Sequence, residues 1–251
     1  MPIIDTEKRV LESVLEDDTL SVTEMSRKLD VSQVTVRGIL SGLEEKGVLV
    51  RTRGGAVAAF HPGIRSRQRL MTEQKKRIAR EAASLVSDGD TVMIEAGTTT
   101  ALIAKYLLGK RNIHVVTNST LILPYARINP SLHLTLIGGE FKPETESVVG
   151  PIAIRELSQF HVGLAFIGTD GYSPATGLTS HHVEGAEAAR TMAERADRCV
   201  LVADSTKFGR AGFAHELPIT KISLVITDSG LSASSISELR KSVPEVRVVK
   251  S

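Results

Sequence analysis

Five loops of small and hydroxylated residues each follow an apolar, strand-like run in the larger, carboxyl-terminal part of the 251-residue sequence. Glycine lets backbone N–H groups approach an anion, threonine hydroxyls donate hydrogen bonds, and the amino end of a helix favours negative charge. Lys207 adds a positive charge that could face a phosphate. Together the loops predict a polar pocket for a small phosphorylated ligand, although each alone is also an ordinary turn. The predicted ligand-binding residues are Gly97, Thr98, Thr99, Thr100, Asn118, Gly138, Gly139, Glu140, Asp170 and Lys207.

Catalytic and metal-binding patterns are weak by comparison. Several carboxylates near these loops could transfer protons, although binding sugar hydroxyls is a simpler role for them. They are Glu95, Glu140, Asp170, Glu184 and Glu187. The adjacent His181 and His182 face different ways along any regular element, and neither HExxH nor CxxC occurs. The Walker and dinucleotide-binding patterns are also missing. The sequence therefore predicts no catalytic residue, no metal site and no cofactor.

The first 58 residues contain a second chemical pattern, a helix with a polar outer face followed by a basic turn. Ser32 is a good N-cap for a helix whose buried stripe is Val36, Leu40 and Leu43. A short helix capped by Ser21 or Thr23 precedes it, and a hairpin with a basic tip follows it. This pattern is typical of a winged helix-turn-helix, whose second helix fits the major groove of DNA. A helical dimerisation or scaffold module is the alternative. The predicted DNA-binding residues are Ser32, Gln33, Thr35, Arg37, Ser41, Arg51 and Arg53.

The elements that position these residues are predicted from hydrophobic periodicity. In the first domain we expect a helix capped by Thr6, the two helices described above, and strands at Val48–Val50 and Ala56–Ala58. The predicted strands of the second domain are Thr91–Glu95, Ile113–Thr117, His133–Ile137, Gly163–Gly168, Cys199–Ala203, Ile222–Thr227 and Val246–Val249. The predicted helices there are Glu73–Val86, Thr99–Leu108, Ser119–Ile128, Gly150–Leu157, Glu184–Arg195 and Ser234–Lys241. Such alternation predicts an α/β domain with a mostly parallel sheet, at whose carboxyl edge the five loops would meet.

Composition and charge set the domain organisation. The formal net charge is +2, but residues 59–80 carry seven basic residues and one acidic residue. We predict a winged helix-turn-helix domain at 1–58, a basic linker at 59–73 and an α/β domain at 74–251. The single cysteine, Cys199, reads as a core residue and excludes an intrachain disulfide, which favours a reducing compartment. No apolar run is long enough for a membrane span, and the charged start is unlike a signal peptide. We therefore expect a cytoplasmic protein without membrane contact.

Several motifs, in order and spacing, resemble the DeoR-type transcriptional regulators. The first region contains LSVTEMSRKLDVSQVTVRGIL and LEEKGVLVRTRGGA. The second contains KKRIAREAASLVSDGDTVMIEAGTTT, VVTNST, LIGGE, FIGTDGYSPATGLT and LVADSTKFGRAGF. The resemblance covers nearly the whole chain, from about Ile3 to Val249. It implies a sensor domain similar in fold to sugar-phosphate isomerases and CoA transferases. It further implies a repressor of a carbohydrate-utilisation operon that binds double-stranded operator DNA and is released by a phosphorylated sugar.

One departure from the family pattern lies in the recognition helix. The family usually has T-[IV]-R-R-D-L, whereas this chain has Thr35-Val36-Arg37-Gly38-Ile39-Leu40. Gly38 removes a cation and lowers helix propensity by about 1 kcal/mol relative to alanine. Three hypotheses follow: a ligand-controlled repressor that binds paired half-sites as a homo-oligomer, a sugar-phosphate isomerase or deaminase with an accessory domain, and a sensor that has lost DNA binding.

Overall fold

The computed structural model describes residues 5–17, 19–58 and 61–250, and the chain divides into two compact units, Met1–Ser66 and Arg67–Ser251. Among the described residues, no helix combines the length and the apolar character that crossing a membrane requires.

The first unit is a winged helix-turn-helix, as predicted. Ser21 caps its second helix through a capping box with Glu24, and Asp30 ends that helix in the left-handed conformation at φ 54°. Ser32 caps the third helix by accepting a hydrogen bond from the Thr35 N–H at 3.0 Å. An antiparallel hairpin follows. The elements are α1 (Asp5–Glu16), α2 (Val22–Leu29), α3 (Gln33–Glu45), β1 (Leu49–Arg51) and β2 (Ala56–Ala58).

The predicted stripe of α3 forms the centre of this unit's core, because Val36, Leu40 and Leu43 are fully buried against α1 and α2. Two boundaries differ from the predictions. The first helix begins at Asp5, so Thr6 lies inside it rather than capping it. The first strand is Leu49–Arg51, one residue later than predicted.

The segment predicted as a basic linker, 59–73, is largely helical within its described part. Helix α4 (Pro62–Arg69) runs across the boundary between the two units, and α5 (Thr72–Ser84) begins only three residues after α4 ends. Met71, in the left-handed conformation at φ 55°, turns the chain between them. Residues 59 and 60 lie outside the described residues.

The second unit contains a seven-stranded, wholly parallel sheet, which confirms the predicted fold class. In chain order the large sheet consists of β3 (Thr91–Ile94), β4 (Ile113–Thr117), β5 (Leu132–Leu136), β8 (Val162–Ile167), β11 (Ala196–Val202), β13 (Leu224–Asp228) and β14 (Glu245–Val249). Across the sheet the order is β14-β13-β11-β8-β3-β4-β5. From β3 the chain adds β4 and β5 on one side and then returns to place β8 on the other side, so the strand order reverses between β3 and β8.

Helices cover both faces of this sheet. On one face α5 packs Ile78, Ala79 and Ala82 against buried strand residues such as Ile94 and Phe166. On the other face α8 (Pro151–Leu157) and α9 (Val183–Glu194) pack around Met93 and Ala165. On that face α10 (Ala233–Arg240) packs near Cys199, which is a buried core residue as predicted. The remaining helices are α6 (Ala101–Tyr106) and α7 (Leu123–Arg127).

Two small antiparallel sheets were not predicted from the sequence. A hairpin of β6 (Glu140–Lys142) and β7 (Ser147–Val149) follows β5. A three-stranded sheet has the order β12-β10-β9, with β9 (Gly171–Ser173) and β10 (Gly177–Ser180) joined by β12 (Ala214–Leu217) from further along the chain. Both contribute residues to the cavity described below.

Candidate functional site

Helix α3 exposes the polar face that the sequence predicted for DNA. Arg37 is exposed, and its guanidinium donates to the Gln33 side-chain oxygen at 3.3 Å. Gly38 is also exposed, and a Cβ atom there would meet no atom within 4 Å. The hydroxyls of Ser32 and Thr35 lie 2.8 Å apart at the start of the helix, where they complete the cap.

The wing is held against α3 by its own basic residue. Arg51 donates from its guanidinium to the Ser41 hydroxyl at 3.1 Å, and its backbone N–H donates to the Glu44 carboxylate at 3.1 Å. Arg53 is exposed at the tip of the hairpin. The structure therefore brings Ser41 of the helix and Arg51 of the wing together, whereas Arg53 is exposed to solvent.

The second unit has a cavity of about 400 Å³ at the carboxyl ends of its central parallel strands. Its lining comes from the loops after β3, β4, β8 and β11, with further residues from the β6–β7 hairpin, β10 and β12. It lies where the strand order reverses, the usual position of ligand sites in open α/β sheets. Its volume is that of a site for a small molecule.

The loop after β3 provides unpaired donors to this cavity. Gly97, Thr98, Thr99 and Thr100 all line it. In the described part of the chain, no group accepts a hydrogen bond from their four backbone N–H groups. Thr100 is fully buried and its hydroxyl donates to the Gly97 carbonyl at 3.1 Å, so this side chain shapes the loop. Consecutive free N–H groups of this kind can bind an anion.

Three lysines line the cavity and add positive charge to it: Lys142, which pairs with Glu140 at 2.8 Å, and the less exposed Lys75 and Lys207. Lys207 lies 3.6 Å from the Asp170 carboxylate and is mostly buried. Lys75, on the first turn of α5, is 5% exposed, and its ammonium donates to the Thr98 hydroxyl at 3.2 Å. Burial lowers the pKa of Lys75 to about 8, although the nearby Asp204 opposes this shift. A buried ammonium lining a polar cavity is a strong attraction for an anion.

Buried carboxyl groups also line the cavity. Glu95 accepts a hydrogen bond from the Gly168 N–H at 2.7 Å, and burial raises the pKa of its carboxyl to about 8. Burial also raises the pKa of Glu216 well above its usual value. Within the described residues, the Glu216 Oε2 atom has no hydrogen-bond partner. A buried carboxyl group whose pKa is raised keeps its proton to higher pH, and in the protonated form it can both donate to and accept from the hydroxyls of a ligand.

Asp170 and Asn118 also line the cavity, and the side chain of each accepts a hydrogen bond from a backbone N–H group. Burial raises the pKa of Asp170, but the hydrogen bond from the His181 N–H and the charge of Lys207 outweigh it and leave the pKa below its usual value. The Asn118 side chain accepts from the Ala96 N–H at 2.8 Å and thereby fixes the start of the Gly97–Thr100 loop.

Three predicted ligand-binding residues do not line the cavity: Gly138, Gly139 and Glu140. The Gly138 N–H donates to the Glu156 carboxylate of α8. A Cβ atom at Gly139 would lie 2.6 Å from the Val149 carbonyl oxygen. Glu140 pairs with Lys142 at 2.8 Å. Because β5 is the edge strand of the sheet, the loop after it closes against α8 and β7 instead of reaching the centre.

Sequence reasoning missed several cavity residues, above all Lys75, Arg67, Ser147 and Glu216. Lys75 is one of two consecutive lysines on an amphipathic helix, and only its place in the helical period, beside Ile78 and Ala79, distinguishes it from a surface residue. Glu216 belongs to a short strand whose pairing with β10 the sequence does not reveal.

Comparison with known proteins agrees with this arrangement. The family profile described as the DeoR-like helix-turn-helix domain matches residues 7–60, and the DeoR C terminal sensor domain matches residues 70–229. The chain is 33% identical to the HTH-type transcriptional repressor GlcR of Bacillus subtilis (strain 168), over 87% of this chain and 86% of that protein. It is 32% identical to the lactose phosphotransferase system repressor of Lactococcus lactis subsp. lactis, over 92% and 94%.

Among solved structures, ribose 5-phosphate isomerase A of Methanocaldococcus jannaschii is similar with a TM-score of 0.40 and 19% identity, over 55% of each chain.

A winged helix-turn-helix joined to an α/β unit with a ligand-sized polar cavity defines a DNA-binding protein with a sensor domain. The chain belongs to the DeoR family of transcriptional regulators, as both family profiles and its relatives show.

Proposed function

We propose that this protein represses a carbohydrate-utilisation operon in the cytoplasm and leaves its operator when a phosphorylated sugar fills the cavity. The observation that carries the proposal is the pairing, in one cavity, of two mostly buried lysines with the unpaired N–H groups of Gly97–Thr100. These groups together suit a dianionic phosphate, whose charge Lys75 and Lys207 would balance.

The other part of the lining suits the sugar. Glu95, Asp170 and Glu216 present carboxyl groups of differing protonation, and Asn118 contributes an amide. Such groups make directional hydrogen bonds to hydroxyls, which an apolar pocket cannot offer. The relatives include a lactose phosphotransferase system repressor, which supports a carbohydrate operon as the target.

On the DNA side, we propose that residues 1–58 form the binding domain, 59–73 a basic connection and 74–251 the sensor. Gln33, Arg37 and Ser41 would face the major groove, and Arg51 and Arg53 the phosphates beside it. Ser32 and Thr35 would act at the helix start, where their hydroxyls already form the cap. We further propose that the protein binds paired half-sites as a homo-oligomer.

We also propose that the cavity binds its ligand without turning it over. Glu95 already accepts the Gly168 N–H, and Asp170 accepts the His181 N–H. Each carboxyl therefore holds two loops together, which suits a sensor that responds to occupancy. An isomerase is the alternative, since the same carboxyls could act as acid and base. Turnover of ribose 5-phosphate or glucosamine 6-phosphate by the full-length protein would establish that alternative.

The test is fluorescence anisotropy of the purified protein on DNA from its own upstream region, at two salt concentrations, with a panel of sugar phosphates. We expect tight, sequence-dependent binding that one compound weakens at least tenfold. The matching unphosphorylated sugar is the control and should have no effect. Binding that is weak, sequence-blind and indifferent to every compound would refute the proposal.

A further inference from the structure

Lys75 is a buried cation whose only hydrogen-bond partners in the described residues are neutral oxygens. Its ammonium donates to the Arg67 carbonyl at 2.5 Å and to the Thr98 hydroxyl at 3.2 Å. Asp204 and Lys207 act on it only through their charges, and no described carboxylate comes within 4.0 Å. The neighbouring Lys76, by contrast, pairs with Glu73 at 2.7 Å on the outer side of α5. Lys75 therefore has unused capacity to bind an anion in the cavity.

The two partners of Lys75 belong to different parts of the second unit. Thr98 lies in the loop of unpaired N–H groups. Arg67 lies in the last turn of α4, the helix through which the chain passes from the DNA-binding unit to the sensor. Carbonyl groups in the last turn of a helix have no partner within that helix. Here the Lys75 ammonium donates a hydrogen bond to the Arg67 carbonyl, and the Thr72 hydroxyl donates to the carbonyls of Gln68 and Arg69.

The corner between α4 and α5 thus depends on side chains from the first turn of α5. Met71, with a φ of 55°, turns the chain at this corner in a conformation that L-residues rarely adopt. Arg67 itself lines the cavity and donates to the Glu144 carbonyl at 2.6 Å. A ligand in the cavity is therefore in reach of the residues that fix the corner.

Resting on the proposed function, we propose that Lys75 couples the cavity to the α4–α5 corner. A phosphate in the cavity becomes the principal partner of the Lys75 ammonium and draws it away from the Arg67 carbonyl. A charged phosphate oxygen is a stronger acceptor than a peptide carbonyl, and the flexible lysine stem allows the shift. The ligand then favours the arrangement in which the end of α4 is released, because only that arrangement gives it the full contact with Lys75.

The test compares Lys75→Met with Lys76→Met, which removes the same charge from the next residue of the same helix. For each full-length variant, operator affinity is measured by anisotropy with and without a saturating amount of the sugar phosphate that releases the wild type. Calorimetry establishes that saturation is reached. We expect the wild type and Lys76→Met to lose at least tenfold in operator affinity, and Lys75→Met to change by less than twofold although the compound is bound.

Hydrogen exchange on the wild type tests the same proposal without any substitution. Saturation with the compound should speed amide exchange in residues 67–75, whereas α10 on the far side of the sheet should be unchanged. The coupling role is overturned if Lys75→Met keeps the wild-type ratio of operator affinities at saturation. It is also overturned if exchange in residues 67–75 does not respond to the bound compound.

The two proposals fail in different ways. If no sugar phosphate releases the wild type from DNA, the proposed function fails, and the exchange measurement is then made with inorganic phosphate. Faster exchange in residues 67–75 with phosphate would support the role of Lys75, and unchanged exchange with phosphate bound would overturn it.

Discussion

Two carboxyl groups in the cavity, Glu95 and Glu216, carry the clearest electrostatic signature among the described residues. Both are buried, and burial raises their pKa values because the charged form loses its hydration. At neutral pH a protonated carboxyl can donate a hydrogen bond to a sugar oxygen, which a carboxylate cannot do. In the proposed function these residues would contribute to ligand recognition, and their burial would cost stability.

The stability cost of Glu95 is measurable as a function of pH. Because its pKa is about 8 in the folded protein and 4.5 ordinarily, the folded state holds a proton between these values that the unfolded chain has released. The free energy of unfolding of the wild type should therefore fall as pH rises through this window. Glu95→Gln does not titrate, so its stability relative to the wild type should rise by about 2 to 4 kcal/mol from pH 5 to pH 8.

Urea unfolding at several pH values checks this prediction. Glu73→Gln is the control, because Lys76 lowers the pKa of Glu73 on the exposed side of α5 and no such rise should appear. A constant difference between Glu95→Gln and the wild type across the range would contradict the prediction.

The titration of Lys75 should affect ligand binding. With a pKa of about 8, caused mainly by burial, its ammonium loses its proton as pH rises from 7 to 9. Asp204, Lys207 and Arg67 are the charged groups that act on it. The affinity for a sugar phosphate should fall up to about tenfold per pH unit above 8, because the neutral amine no longer attracts the anion. Calorimetry at pH 7, 8 and 9 measures the fall, and Lys75→Met should flatten it.

At the scale of elements, α3 combines an intact cap and core with an unusual outer face. Gly38 is exposed and open, so a side chain fits there without displacing an atom. Gly38→Ala should stabilise the first unit by about 0.5 to 1 kcal/mol through helix propensity alone. Gly38→Arg should in addition tighten DNA binding and steepen the dependence of log affinity on log salt by about one ion.

Anisotropy titrations at four salt concentrations separate these two effects, with Gly38→Ala as the matched control. Equal salt slopes for the alanine and arginine variants would show that position 38 does not face a phosphate.

The β6–β7 hairpin offers a second prediction at this scale. Gly139 has a φ of 142°, and its missing Cβ leaves room for the Val149 carbonyl oxygen. Gly139→Ala should destabilise the second unit by about 2 kcal/mol or more, since backbone strain and a backbone clash act together. Gly89→Ala, at a φ of 84° with open space around it, should cost only about 1 kcal/mol of strain. Similar losses in thermal unfolding would contradict this account of Gly139.

The elements differ in how far the sequence could predict them. The stripe of Val36, Leu40 and Leu43 and the alternation of apolar strands with helices depend on local periodicity, so the winged helix and the parallel sheet could be predicted. The strand β12 pairs with β10 although the two are far apart in the sequence, and no local pattern encodes that contact. For the same reason Glu216 was missed. The Gly138–Gly139 turn resembles an anion loop in composition, and only the edge position of β5 excludes it from the cavity.

At the scale of the whole molecule, the proposed function requires that ligand binding to the sensor unit and operator binding to the DNA-binding unit are thermodynamically linked. The two units are joined through α4, in the segment 59–80 with its seven basic residues. If a sugar phosphate weakens operator binding, the operator must weaken sugar-phosphate binding by the same factor. A ligand that merely competed with DNA for basic surface would show strong dependence on salt and little dependence on the sugar.

The most direct measurement of the central claim is therefore calorimetric titration of the releasing sugar phosphate into the free protein and into the protein saturated with operator DNA. The account predicts that the operator-bound protein binds the compound at least tenfold more weakly, by the same factor as the compound weakens DNA binding. Equal affinity of the compound for the free and the operator-bound protein would contradict it.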